Sequence, residues 1–348
     1  MPFCCRHRQR PREACGISQA MLTHRNKLPC SPKRVVLLGA NGFVATKLRE
    51  GLASAGIDCH AIGSSSIDLT TPKAAAALSL QMRRDDTVVM CSILTPDKGR
   101  DFHVFKRNLD MAHSVCLALE SAPCAHFIYL SSDAVYDAHK VPLDEDSTRE
   151  PVDLYALTHT AREMTLASVL ARSGTPFCIL RPTNIYGFGD THNNYGPNSF
   201  VRSALQEGRI SIFGRGEERR SHIYIDDAAA LIIRAIQMQS EGTLNLAARP
   251  MVSFLHVANL VIENCGKDVR LDFLPRTIKA IHRPYKPTQV FRFIYNLGRR
   301  IGPIVHRTFD VSSTFKAFPD FQFTPLEKGL RTYLSMSRDA MTTHAAKP

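Results

Sequence analysis

The sequence predicts an α/β fold, a doubly wound parallel sheet with a smaller, discontinuous C-terminal lobe. Three observations carry this. Apolar runs of strand length, such as Val35–Leu38, residues 87–93, His126–Leu130 and residues 177–180, alternate with stretches of helical periodicity. The first of these runs ends in a glycine turn. After Arg181 the texture changes, with Asn, Gly, His and Pro crowding positions 184–198. Alternating strand and helix is the pattern a parallel sheet needs, because each crossover between parallel strands is made by a helix.

Taken in order, Val35–Leu38 leads through the glycine turn into a helix over about 44–55 and a second strand at Cys59–Ile62. A short third strand is expected at 67–69, an Ala-rich helix after Pro72, a buried strand over 87–93 and helical spacing over 104–120. His126–Leu130 then runs into Ser131-Ser132-Asp133, and an amphipathic helix over 154–171 leads to the strand at 177–180. The chain leaves the sheet near 184 and is expected to return at 222–225, before a helix over 227–237 capped by Asp226-Asp227 and a strand at 243–246. The implied organisation is a basic disordered extension over 1–32, a nucleotide-binding unit over 33–185 plus 221–250, a second lobe over 186–220 plus 251–335, and a tail over 336–348.

At 348 residues and 44% hydrophobic, the chain can bury one large core or two smaller ones, which excludes a disordered or fibrous protein. No apolar run approaches the roughly 18 residues that cross a bilayer. The ten cysteines are scattered, with no Cys-x-x-Cys and no zinc spacing, so reduced thiols, a cytoplasmic location and no metal are expected. The net charge of +12 is concentrated. Residues 1–34 hold eight Lys/Arg against one acid, and residues 276–307 hold eight with none. That excess suits a phosphorylated substrate or an anionic membrane surface, or it is a solvated basic face. No recognition-helix, zinc-finger or RNA-binding signature accompanies it, so nucleic acid is not expected as a partner. Within the second basic stretch, residues 283–295 alternate basic with aromatic and aliphatic side chains, as an interfacial segment or a packed lobe would.

Gly39-Ala40-Asn41-Gly42-Phe43-Val44-Ala45 lies between strand and helix, where missing side chains let backbone approach a pyrophosphate and the helix N-terminus favours its charge. A turn used only for tight packing is the alternative. The second strand closes on Gly63-Ser64-Ser65-Ser66, which offers a ribose no carboxylate and a 2′-phosphate no arginine. NAD and NADP both stay open, with a lean to NADP, and Ser64 is the candidate contact.

From about Lys33 to about Gly242 the chain resembles the extended short-chain dehydrogenases/reductases, the nucleotide-sugar epimerase/dehydratase group, whose fold is Rossmann-like. Segments in the family's order carry the likeness. Ile67-Asp68-Leu69-Thr70 resembles the segment whose Asp contacts adenine, and Asn108 falls where the family keeps an active-site Asn. Tyr129-Leu130-Ser131-Ser132-Asp133-Ala134-Val135-Tyr136 resembles the strand end with the catalytic hydroxyl, placed on Ser132. Arg181-Pro182-Thr183-Asn184-Ile185-Tyr186-Gly187 resembles the entry to the substrate lobe. In Arg220-Ser221-His222-Ile223-Tyr224-Ile225-Asp226-Asp227, Arg220 would meet a sugar-nucleotide phosphate.

The resemblance implies a homodimer that binds NAD or NADP through Gly39, Asn41, Gly42, Phe43, Val44, Ser64, Asp68 and Leu69, and a nucleotide sugar through Asn184 and Arg220. It implies Tyr155 as the proton-transferring group with Ser132, Asp133 and Asn108 around it. The family's Tyr-x-x-x-Lys reads Tyr155-Ala156-Leu157-Thr158-His159 here, so the lysine is absent. Spaced four residues apart, Tyr155 and His159 share a helix face, and His159 can occupy the lysine's place as a ribose contact. A neutral imidazole favours tyrosinate less than an ammonium does. The expectations are therefore a slower enzyme, or a cofactor-binding sensor with weakened catalysis. Dehydratases of the family place Asp-Glu after the catalytic hydroxyl; Asp133-Ala134 lacks the Glu, which leaves a C4 epimerase or a keto-sugar reductase, with a small lean to the latter.

Overall fold

A computed structural model describes residues 21–137, 141–192, 196–275, 304 and 306–345. In it the order is β1 (Thr23–His24), β2 (Val35–Leu38), α1 (Phe43–Ser54), β3 (Cys59–Ile62), α2 (Ala74–Ser79), β4 (Thr87–Met90), α3 (Phe102–Ser121), β5 (His126–Leu130), α4 (Leu154–Ser173) and β6 (Phe177–Pro182). Then come β7 (Asn184–Tyr186), α5 (Gly196–Glu207), β8 (Arg209–Phe213), β9 (Arg219–Arg220), β10 (His222–Tyr224), α6 (Ile225–Gln237) and β11 (Ser240–Leu246). β12 (Val252–Ser253), α7 (Phe254–Asn264), β13 (Arg270–Leu274), α8 (Ser312–Ala317) and α9 (Leu326–Ala345) complete it.

The central sheet has seven strands in the order β1-β11-β6-β5-β4-β2-β3, all parallel except β1. Because successive side chains on a strand point to opposite faces, Val35 and Leu37 enter one core with α1 and α6, while Val36 and Leu38 enter another with α2, α3 and α4. Burial on both faces is why these strands read as continuous apolar runs rather than alternating ones. A third cluster joins Phe200, Val201 and Ala204 of α5 to Ile210 and Ile212 of β8, Val257 and Val261 of α7, and Leu330 and Leu334 of α9.

Several expectations are corrected. Residues 67–69 form no strand; Ile67 and Leu69 are buried from a turn, which gives them an alternating look without a ladder. The return at 222–224 does not rejoin the central sheet, since β10 pairs with β7 in a separate parallel ribbon. Asp226 and Asp227 lie in the first turn of α6, whose N-cap is Tyr224. Asp227 instead accepts the Thr324 amide and hydroxyl, both at 2.8 Å, and ties α6 to the segment before α9. The extension over 1–32 is not all disordered, because Thr23–His24 adds an antiparallel edge strand to β11. The 336–348 tail is helical through Ala345. Residues 1–20 and most of the basic 276–307 stretch lie outside the described residues, although its last arginine, Arg307, is described. Among the described residues no helix is long and apolar enough to cross a membrane, and no group of His, Cys, Asp or Glu is placed to hold a metal.

Candidate active site

The parallel strands β2, β4, β5 and β6 end around a cavity of about 440 Å³. Open α/β sheets place ligand sites at this carboxyl edge. Gly42, Phe43, Val44 and Ala45 line it, as do Ser132, Asp133, Tyr155, His159, Asn184 and Arg220.

The two glycines of the turn do different work. Gly39 has φ +86°, and a Cβ there would fall 2.7 Å from the Ser92 backbone, so strand packing alone demands glycine. Gly42 has an ordinary φ of −73° and precedes α1 with no side-chain cap and no acid in the first turn. The first N–H groups of a helix have no intrahelical partner. On α1 they belong to residues lining the cavity, which suits the diphosphate of a dinucleotide.

Both serines after β5 line the cavity, and Ser131 is tied into the interior by donating to Glu163 Oε1 at 2.6 Å. Ser132 lines the cavity, and its Oγ accepts the Ala134 amide at 3.1 Å, capping a single 3₁₀ turn. Ser132 thus both caps this turn and faces the cavity. Asp153 caps α4 by accepting the Ala156 amide at 2.8 Å. That start sets the phase of the helix, so Tyr155 and His159 both line the cavity with their rings edge to face at 4.7 Å. His159 Nδ1 lies 2.8 Å from the Tyr129 hydroxyl. Burial, helped by the nearby Arg162 charge, pushes the imidazole down to about 3, so it is neutral at physiological pH. Sequence reasoning had the imidazole neutral only above its ordinary value of about 6.5; the structure makes it neutral far below that.

One turn further along α4, Glu163 anchors a buried network. Its carboxylate accepts from Arg181 at 2.9 and 2.8 Å, from Arg149 at 3.1 Å and from Ser131. Arg181 also donates to the Tyr136 hydroxyl at 2.7 Å, which donates to Asn245 at 2.8 Å. The network locks the β5 end, α4 and β6 together beneath the cavity.

Other candidates do not gather there. The Asn108 amide is used on both sides by the Leu94 backbone, at 2.8 and 3.0 Å, and borders a smaller cavity of about 50 Å³ beside Tyr155. Asp68 accepts the Thr70 amide and hydroxyl, at 3.0 and 2.8 Å, bonds that hold its carboxyl below its ordinary range. Leu69 is in the core, and neither Asn41 nor Ser64 lines the large cavity; Asn41 instead packs its amide against Gly63.

Sequence reasoning missed three cavity groups. Arg307 donates to the Asp133 and Tyr136 carbonyls, at 2.8 and 3.1 Å, and its Nε stands 3.6 Å from the Asp133 carboxylate. His192 Nδ1 lies 3.0 Å from both Asp97 and Thr95. Arg100 lines the cavity as well. No motif marks any of them; Arg307 was visible only as the last of eight basic residues.

The family model described as NAD dependent epimerase/dehydratase family matches residues 35–247, more than half of the chain. The chain belongs to this family. Among curated members it is similar to GDP-mannose 3,5-epimerase 1 of Oryza sativa subsp. japonica, 26% identical over 278 residues, 71% of this chain and 72% of that one. It spans less of other curated relatives, 37% of a Sinorhizobium fredii protein and 56% of a Bacillus subtilis one. In fold it is similar to a GDP-L-fucose synthetase from Naegleria fowleri bound to NADP (TM-score 0.74, 16% identity, 91% of this chain and 98% of that one). It is also similar to a UDP-glucose 4-epimerase of Thermus thermophilus in complex with NAD (TM-score 0.71, 18% identity, 88% and 99%).

Proposed function

We propose that this family member is an NAD(P)-dependent enzyme that transfers a hydride at C4 of a nucleotide-linked sugar, by keto reduction or by epimerisation. One observation carries the reading: the uncapped start of α1, Ser132, Tyr155, His159 and Arg220 all line one cavity. In this reading α1 holds the dinucleotide diphosphate and His159 meets its ribose. Bound NAD or NADP would supply or take up the hydride. Tyr155 gives or removes the sugar hydroxyl proton, with the Ser132 oxygen beside the same carbon. Arg220, which donates to Glu218 at 2.7 Å, meets the sugar-nucleotide phosphates beside Asn184, and the lobe over 186–220 plus 251–335 covers the sugar.

Asp133 is followed by Ala134 and has the Arg307 guanidinium at 3.6 Å, which does not make the carboxyl pair of a dehydratase. Keto reduction is the favoured chemistry. The neutral His159 favours a second reading, a cofactor-binding sensor with weak turnover. A homodimer in the cytoplasm completes the proposal, to be checked by mass in solution and by localisation of the tagged full chain.

The test is to identify by mass the dinucleotide that co-purifies, then to incubate the protein with a panel of nucleotide sugars. Net NAD(P)H consumption with a keto-sugar defeats the epimerase, redox-neutral interconversion at C4 defeats the reductase, and affinity without turnover supports the sensor. His159→Lys is expected to raise turnover near neutral pH.

A further inference from the structure

We propose that Tyr129 is a positioning residue that fixes His159 in its Nε2–H tautomer, so that α4 presents a neutral hydrogen-bond donor where the family places a lysine cation. The cavity use of that donor rests on the cofactor reading above; the tautomer itself does not.

The argument starts from the shared hydrogen bond. A 2.8 Å separation between the Tyr129 hydroxyl and His159 Nδ1 admits two arrangements, phenol donating to Nδ1 or Nδ1–H donating to phenol. The surroundings choose between them. Tyr129 is 1% exposed, and burial pushes its hydroxyl well above its ordinary value, so it keeps its proton. The nearby Arg162 charge, in turn, opposes a second proton on the imidazole. Among the described residues Nδ1 is the one acceptor within hydrogen-bond reach of that phenol, so donating to it satisfies the hydroxyl hydrogen, whereas accepting from Nδ1–H would leave that hydrogen unpaired in the interior.

The Arg162 side chain is immobilised. It is fully buried and donates to the Asn108 carbonyl at 3.0 and 2.5 Å and to the Ser92 carbonyl at 2.7 Å, with no ion pair among the described residues. The nearest carboxylate on the helix, Glu163, is committed to Arg181, Arg149 and Ser131. Nothing described around His159 draws a second proton onto the ring.

With Nδ1 accepting, the imidazole proton is on Nε2. That nitrogen is buried and has no partner among the described residues, while His159 lines the cavity. A buried N–H without a partner is costly, and a ligand hydroxyl would satisfy it. The site thus keeps a hydrogen-bond donor in the lysine's place while the charge sits on the buried Arg162.

The test is long-range proton–nitrogen correlation on the full chain labelled with ¹⁵N-histidine, with the His159 signal assigned by its loss in His159→Gln. The expected pattern is the Nε2–H tautomer, unchanged from about pH 6 to 8, a range in which an ordinary imidazole titrates; an Nδ1–H pattern, or titration within that range, overturns the proposal. In Tyr129→Phe the ring is expected to lose its single tautomer, and NAD or NADP affinity to fall about fivefold, the worth of one neutral hydrogen bond. A single Nε2–H tautomer surviving in the folded Tyr129→Phe chain would show that Tyr129 does not set it. An Nε2–H tautomer in a chain that binds neither dinucleotide would sink the cofactor reading and leave the positioning by Tyr129 standing.

Discussion

Arg181 grips Glu163 through two parallel hydrogen bonds, and both side chains are out of water, at 1% and 0% exposure. Such a pair contributes little relative to a well-packed apolar one, but removing one partner strands a buried charge. Glu163→Ala should therefore destabilise the fold by roughly 3–5 kcal/mol, measured by urea unfolding. It should also free Ser131, so whatever protein still folds is expected to lose turnover. A loss below about 1 kcal/mol would mean that the Tyr136 hydroxyl, the Glu145 carbonyl and entering water can solvate Arg181 once its carboxylate is gone.

The two turn glycines should separate folding from binding. Gly39→Ala forces a side chain into positive φ and against the Ser92 backbone at 2.7 Å, so stability should fall by several kcal/mol, about 1–3 of it from φ alone. A Cβ on Gly42 would meet only the Gly39 carbonyl, at 3.3 Å. Gly42→Ala should keep the unfolding midpoint close to that of the parent and weaken dinucleotide binding by calorimetry. Equal affinity in the two proteins would remove the diphosphate from this turn.

What sequence could and could not disclose follows from the range of the forces involved. The strand, turn and helix from Val35 to Ser54 were legible because strand burial, glycine geometry and helical period are all local. The misread strand at 67–69 shows the limit of periodicity: alternation reports burial, and Ile67 and Leu69 are buried from a turn. β1 was illegible because its support is distant. His24 meets Ser240 at 2.8 Å and the Ala317 carbonyl at 2.9 Å, and two polar residues carry no pattern of their own. The site divided likewise. Tyr155 and His159 share a helix face by spacing alone, whereas Tyr129 as a partner of His159, and Arg307 over Asp133, depend on tertiary folding.

Arg307 should matter for the Ser132 side of the cavity and not for the glycine turn. Its donors hold both ends of the 3₁₀ turn that Ser132 caps. Hydrogen bonds from a charged donor are worth about 1.5–3 kcal/mol, so Arg307→Met should lower kcat/KM by roughly 10- to 100-fold. Dinucleotide affinity should stay within about twofold, since Arg307 bonds to none of the turn residues. Should affinity collapse along with turnover, Arg307 would have to support the whole cavity.

Acid should unfold the protein through three imidazoles. Burial pushes His126 down to about 4 and His159 and His222 to about 3, and both His222 nitrogens are buried without partners among the described residues. The sign is fixed by linkage. Each folded-state value is depressed, so the unfolded chain binds these protons first; stability is full above about pH 6.5 and is lost as pH falls toward the folded values. In that window each imidazole removes about 1.4 kcal/mol per pH unit, or roughly 4 for the three together. Cooperative unfolding between about pH 6 and 4 is expected by circular dichroism, reversible on neutralisation. His222 packs edge to face on Phe254 at 5.8 Å, so His222→Phe keeps an aromatic contact while deleting one proton-binding group. That variant should unfold at lower pH, with the slope of stability against pH reduced by about a third. An unchanged slope would mean that His222 takes up its proton in the folded state, through an opening that its burial does not reveal.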